Sequence, residues 1–268
     1  SSLNAWQTGQ WSIYNTTPLT ATLIALAIML KLGLAPLHAW YPEVLQGSTM
    51  TTALIISTWQ KLAPLTLLYM MHNHLPTNII LMMGLTSTTI GGLMGLNQTQ
   101  TRKIMAFSSI AHMGWLITAL TLNPNLTIMT LIIYITMTTT MFMSMNKMMM
   151  KTITDMGTMW THAPPLTTLM VLTLLSLGGL PPLTGFIPKW LIINDLCSIK
   201  LITLATGLAM TSLPSLYFYV RMTYLTMLTT PPNTVNTEYK WRFIGPPNMA
   251  LPATATLTAL LLPMTPLL

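Results

Sequence analysis

Charge is the scarcest commodity in this sequence. Only 6% of its 268 residues are charged, and Asp and Glu together number 4. A soluble domain carries about 25% charged residues, so a chain of this length could not clothe a water-soluble globule. The mean hydropathy of +0.60 agrees, and several runs exceed the ~18 apolar residues that mark a membrane span. Cysteine is nearly absent. The lone Cys197 excludes an internal disulfide and any cysteine-based metal or iron–sulfur centre, and reads as a small apolar residue. A phosphate-cradling glycine-rich loop before a helix is missing, as is a G-x-G-x-x-G turn after a strand. Hydride and electron chemistry therefore have no housing in this chain. The net charge of +7 comes without a basic patch interleaved with aromatics, which argues against nucleic acid. Valine is scarce, while threonine is abundant and Met numbers 25. That bias fits a mitochondrial genetic system in which an isoleucine codon is read as Met.

What remains is a chain of apolar segments. They are continuous and do not alternate, which favours helices over barrel strands, and the fold class is an all-α polytopic membrane protein with about eight spans. The spans are expected near 17–33 (continuing past a break towards Leu45), 50–72, 77–95, 104–121, 125–146, 165–194, 201–228 and 249–267. Residues 1–16, with Trp6, Trp11 and Tyr14, read as an interfacial loop with an aromatic belt. The start at Ser1 resembles neither a signal nor a transit peptide, so the chain is expected to be processed or to lack an N-terminal part. Loops on one side hold Arg102, Lys103, Lys147, Lys151, Lys240 and Arg242, and those on the other hold Lys200 alone. The basic side should be the matrix or cytoplasm.

Two spans are interrupted in the same way. Gly33-Leu34-Ala35-Pro36-Leu37-His38-Ala39-Trp40-Tyr41-Pro42-Glu43 aligns without a gap on Gly179-Leu180-Pro181-Pro182-Leu183-Thr184-Gly185-Phe186-Ile187-Pro188-Lys189. The two copies fall in the first and sixth spans and so run in opposite directions. This is an inverted-topology repeat of the kind that builds ion-coupled transporters. The single transmembrane domain, 17–268, then divides into 17–75 as the remainder of a first repeat, 76–228 as a second repeat, and 249–268 as a C-terminal helix.

The chemistry is expected where charge enters these spans. Lys31, Lys61 and Lys189 each have a proline close by, at Pro36, Pro64 and Pro188. A helix proline releases the carbonyl four residues back: Gln60 for Pro64, and Leu177 and Gly178 for Pro181 and Pro182. Released carbonyls can line a wet cavity and soften the cost of a buried amine. An intramembrane lysine marks an ion path or proton relay, with a structural ion pair or a snorkelling side chain as the rival. His112, on one face with Ser108 and Ser109, can shuttle protons or serve as a satisfied interhelical hydrogen bond. His38 is a weaker relay candidate whose rival role is interfacial anchoring. Glu43, Asp155, Asp195 and Arg221 read as surface or span-end charges, and His72, His74 and His162 lie near span ends.

The stretches MLKLGLAPLHAWYPEVLQG, TWQKLAPL, GLMGLNQTQTRKIMAFSSIAHMGW and LLSLGGLPPLTGFIPKW together resemble the antiporter-like membrane subunits of respiratory complex I, in particular the chain 2 family of mitochondrial NADH–ubiquinone oxidoreductase. The resemblance runs from about Gln10 to Leu268, and the composition looks mammalian. It implies two inverted five-helix repeats, each with a broken helix, and a central hydrophilic axis carrying protons that is driven by quinone reduction in other subunits. By motif, Lys31 is the lysine of the first broken helix, Lys61 that of the following helix, Lys189 that of the second broken helix, and His112 the histidine of SSIAHMG. The family also has about three preceding helices with a glutamate that pairs with the lysine at Lys31. The resemblance further implies FMN and iron–sulfur clusters in other subunits with no cofactor or metal here, and other membrane-arm subunits, antiporter-like ones among them, as partners. It places the chain in the mitochondrial inner membrane, with cardiolipin around it. A free-standing cation/proton antiporter and a structural subunit with inert lysines are the alternatives.

Overall fold

The computed structural model describes residues 2–11, 17–157, 163–227 and 250–260. The described chain is helical, apart from turns and one antiparallel bridge between Gln100 and Thr152. The helices are α1 (Ser2–Thr8), α2 (Pro18–Leu32), α3 (Trp40–Gly47), α4 (Met50–Ser57), α5 (Trp59–Met70), α6 (Thr77–Leu96), α7 (Thr101–Leu122), α8 (Pro124–Lys147), α9 (Ile153–Gly157), α10 (Pro164–Gly178), α11 (Phe186–Ser198), α12 (Ile202–Met227) and α13 (Ala250–Leu260). Three of them, α6, α7 and α8, are long and apolar enough to cross a membrane, and α2 and α10 are shorter apolar helices. Prolines stand at the starts of α2, α8 and α10, where a missing N–H costs nothing.

The centre of the fold is α7, which is buried around nearly its whole circumference. Its tightest neighbour is α6, and the closeness is set by glycine. A Cβ at Gly91 would stand 2.7 Å from the Ala111 nitrogen and 2.9 Å from the Phe107 carbonyl oxygen, so the two backbones are in direct contact there. Small residues that let helices approach are the usual device where the hydrophobic effect cannot press helices together. Around this pair, α8, α3, α4 and α11 also pack on α7, while α12 packs on α6 and α10.

Both interruptions predicted from the sequence are present, and they are built alike. In the first, Gly33 takes φ +74°, its N–H donates to the Leu30 carbonyl, and Leu34 N–H donates to Met29. In the second, Gly179 takes φ +81°, its N–H donates to Ser176, and Leu180 N–H donates to Leu175. Each is a left-handed glycine cap that closes a helix by two reversed hydrogen bonds, and the prolines that follow cannot resume the helix.

Two features differ from the sequence reading. Part of the proposed interfacial loop is helical: Ser2–Thr8 packs on the start of α2, where Thr20 donates to the buried Asn4 side chain at 3.3 Å and Thr17 to Gln7 at 2.9 Å. The second span is also interrupted. It divides at Thr58 (φ −114°, ψ −68°) into α4 and α5. The Lys61 N–H therefore bonds to the Thr58 carbonyl, three residues back. The bend falls a turn ahead of Pro64, where the proline ring crowds the preceding turn.

On the basic side, the loops after α6 and α8 are tied together. Thr101 N–H donates to the Lys151 carbonyl and Ile153 N–H to Thr99. Asp155 holds this corner by accepting from the Thr152 N–H at 2.9 Å and the Lys151 N–H at 3.0 Å. Those two backbone donors hold its carboxyl below the ordinary value of 3.8. Because the folded value is the lower one, the added stability is complete above 3.8 and is lost as pH falls beneath it. Asp155→Asn should speed amide hydrogen exchange at Lys151 and Thr152 at neutral pH, with the difference from the native chain closing in acid.

Candidate functional site

The Thr58 bend turns Lys61 inward. Its side chain is 3% exposed, yet it meets no carboxylate among the described residues. The amine instead donates to the Tyr134 hydroxyl at 3.1 Å, and lies 4.9 Å from the centroid of the Tyr41 ring and 5.0 Å from that of Tyr134. Aromatic faces stabilise a desolvated cation by about 2 kcal/mol, so the cage compensates for part of the lost hydration without fixing a counter-ion. The Tyr134 hydroxyl in turn donates to the Ser57 carbonyl at 3.3 Å. That carbonyl is available because Lys61 N–H has moved its bond to Thr58. The sequence reading had assigned the freed acceptor to Gln60; the acceptor in use is Ser57, because the helix breaks earlier than the proline alone requires.

His112 sits at the middle of α7, partly buried, with its ring centroid 5.7 Å from that of Tyr134. Its Nε2 is 3.4 Å from the Tyr219 hydroxyl, and the ring faces the Leu177 carbonyl at the end of α10. Lys189 stands in the first turn of α11 and reaches back across the second break to donate to the Gly178 carbonyl at 2.9 Å. The amine thus rests on the negative end of the α10 dipole. Leu177 and Gly178, the two carbonyls expected to be freed here, are the ones that face His112 and Lys189. His112 and Lys189 line one small cavity with Tyr134, to which Lys61 is hydrogen-bonded, so these groups form one constellation.

Lys31 and His38 lie outside it. Lys31 is exposed in the last turn of α2 and makes no hydrogen bond among the described residues. His38 is partly buried, with Nδ1 3.2 Å from the Pro36 carbonyl. In the first break the carbonyl of Leu30 is met by the Trp40 indole at 3.0 Å, a neutral donor where the second break uses a lysine. Glu43, aligned with Lys189 in the repeat, is exposed. Of the end-of-span charges, Asp195 accepts from Asn123 at 2.7 Å, Arg221 caps α6 by donating to Leu96 at 3.0 Å, and Arg102 donates to Ser48. His72 rests on the Tyr69 carbonyl at 2.8 Å. Lys240, Arg242 and His162 lie outside the described residues.

Sequence reasoning overlooked three tyrosines. Tyr41, Tyr134 and Tyr219 converge on the lysine and histidine, with Ser109 beside Tyr41 and Tyr134 and Ser108 beside Tyr219. Among the described residues the buried Tyr41 hydroxyl has no hydrogen-bond partner. No local signal marks these tyrosines: Tyr134 sits in the apolar run TLIIYITM, Tyr41 next to Pro42 and Glu43, and Tyr219 two residues before Arg221. The constellation is walled by two apolar clusters, one including Tyr41, Met137, Leu177 and Tyr219, the other Leu65, Leu68, Met113 and Tyr134. Among the described residues no group of His, Cys, Asp and Glu could hold a metal.

A family described as NADH:quinone oxidoreductase/Mrp antiporter, transmembrane, matches residues 3–214, and one described as NADH dehydrogenase subunit 2 C-terminus matches residues 216–268. The NADH-ubiquinone oxidoreductase chain 2 of Xenopus laevis is 52% identical over 266 residues, covering 98% of this chain and 77% of that one. The chain belongs to the NADH-ubiquinone oxidoreductase chain 2 family. The match extends to solved structures. A chain of respiratory complex I from Thermus thermophilus with bound aureothin superposes with a TM-score of 0.83 at 25% identity, over 98% of this chain and 62% of that one. A chain of an archaeal membrane-bound sulfane sulfur reductase shares the fold at a TM-score of 0.81 and 17% identity, over 95% of this chain and 55% of that one. The chain thus spans less than two thirds of the length of either solved relative. Its fold is the antiporter-like membrane fold of this family.

Proposed function

We propose that the chain is a membrane-arm subunit of respiratory complex I, the NADH:ubiquinone reductase that translocates protons. In this reading it moves protons along a central axis of Lys61, His112 and Lys189, with quinone reduction in other subunits as the drive. The observation that carries it is the buried Lys61 amine, held by a hydroxyl and two aromatic faces and unpaired with any described carboxylate. A structural ion pair would need a carboxylate that none of the described residues supplies, and a snorkelling lysine would need water. Lys31 and His38 belong to the same proposed path, at its exposed side.

The finer features follow from the same reading. The chain crosses the mitochondrial inner membrane about eight times, with the two broken helices as inverted counterparts and the basic loops in the matrix. It holds no redox group, and FMN and iron–sulfur clusters reside in other subunits. Its neighbours are other membrane-arm subunits, antiporter-like ones included, and anionic lipid such as cardiolipin. Purification of the native chain from mild detergent tests the assignment. It should travel with flavin and NADH-oxidising activity. Recovery without either, together with cation/proton exchange in vesicles, would instead make it a free-standing antiporter.

A further inference from the structure

We propose that the Tyr134 hydroxyl is the group through which a proton passes between Lys61 and Lys189, with a single water in the adjoining cavity completing the link. The inference rests on the relay reading above and names the path within it.

Among the described residues, Lys61 bonds to neither His112 nor Lys189, and its one side-chain hydrogen bond is to Tyr134. Tyr134 also lines a small cavity that does not include Lys61 in its lining, together with His112, Thr130, Gly185 and Lys189, among others. The space open to the centre of a water-sized sphere is about 20 Å³. One water needs about 10–15 Å³ by that measure and two or more polar partners, and here a phenol, an imidazole and an amine supply them. The cavity therefore accommodates one water and has no room for a file of them. Among the described residues, Tyr134 is the one side chain that both bonds Lys61 and borders this space.

The hydroxyl has two places to send its hydrogen. It points now at the Ser57 carbonyl, a backbone group that can hold a hydrogen bond but cannot pass a proton on. Turned about its C–O bond, it would point at the cavity water. In that setting the Lys61 ammonium gives a proton to the Tyr134 oxygen as the phenol's own proton moves to the water, and the water passes one of its protons to a neutral Lys189 amine. The result is a neutral Lys61, an intact phenol, an intact water and a Lys189 ammonium, so atoms and charge balance and no phenolate accumulates. The Thr58 bend thus provides the off position, because it exposes the Ser57 carbonyl that holds the hydroxyl.

The test uses the assembled complex in sealed vesicles. Tyr134→Phe keeps the ring beside His112 and over Lys61 while deleting the hydroxyl, and Thr130→Ile replaces a hydroxyl at the cavity wall by a larger, apolar ethyl group. Both should lower proton translocation as much as Lys61→Met does, about 10²-fold at this step. In any variant retaining turnover, the solvent deuterium isotope effect should rise above the native value, which packing damage alone would not cause. Native translocation and a native isotope effect in Tyr134→Phe, alongside a defective Lys61→Met, would overturn the role of Tyr134 and leave the relay standing. Native behaviour in Lys61→Met would overturn the relay and this inference together. If Tyr134→Phe does not assemble, Thr130→Ile decides: loss supports the one-water link, and native translocation refutes it.

Discussion

Gly185→Ala should leave almost no assembled chain in the membrane. The backbone at Gly185 has φ −66°, which any residue can adopt, so conformational freedom is not what requires glycine here. Space is. An added Cβ would run into the Ser176 carbonyl and stand 3.3 Å from the Met137 sulfur. Ser176 belongs to the last turn of α10, and its oxygen already caps Gly179. A clash with backbone cannot be relieved by a rotamer change, so the cost should reach or exceed the upper end of the about 1–3 kcal/mol typical of overpacking. The break would have to open; it holds Thr184, whose hydroxyl ties it to α13 by donating to the Thr258 carbonyl at 2.6 Å, and Lys189 reaches back across it to Gly178. Gly47→Ala is the control, since nothing lies within 4 Å of a Cβ there. Immunodetection of the chain in native membranes should show loss in the first variant and normal amounts in the second. Equal amounts in both would mean that the second break tolerates a looser geometry than its backbone contacts imply.

The sequence carried the parts of this architecture that local chemistry dictates. Gly33 and Gly179 are followed by prolines, and that pairing forces a helix to stop in the same way wherever it occurs. Lys61 and Lys189 stand out because a charge is costly in an apolar run whatever surrounds it. What could not be read locally depends on which helices meet. Tyr134 in TLIIYITM looks like one more large apolar residue until α8 is laid against the Thr58 bend, when its hydroxyl falls between Lys61 and Ser57. The bend itself is not legible because Thr58 is no helix breaker, and Pro64, a turn further on, does not by itself require a break that early. Lys31 shows a different limit of local reading: its span and its break are both legible, but which face of the helix is covered is not, and the described helices leave its side chain exposed.

Lys61→Met removes the charge and the donor while keeping a long, flexible side chain of similar bulk. The site should accept it, because the cage around the amine is largely aromatic and exchanging a buried charge for a well-packed apolar group is often neutral or stabilising. Tyr134 keeps its bond to Ser57, so the bend should persist. What is lost is the group that accepts and gives up the proton, worth about 10²-fold or more in a transfer step. Assembly and function should therefore separate, in contrast to Gly185→Ala, where they fail together.

The direct measurement is the rate of proton translocation, together with NADH oxidation, in sealed vesicles containing the native complex or Lys61→Met at matched chain content. The account predicts that the variant assembles normally and that its proton translocation collapses, with NADH oxidation either uncoupled from it or stalled. Native rates of both in Lys61→Met would contradict the claim that protons cross this chain by way of its buried lysine.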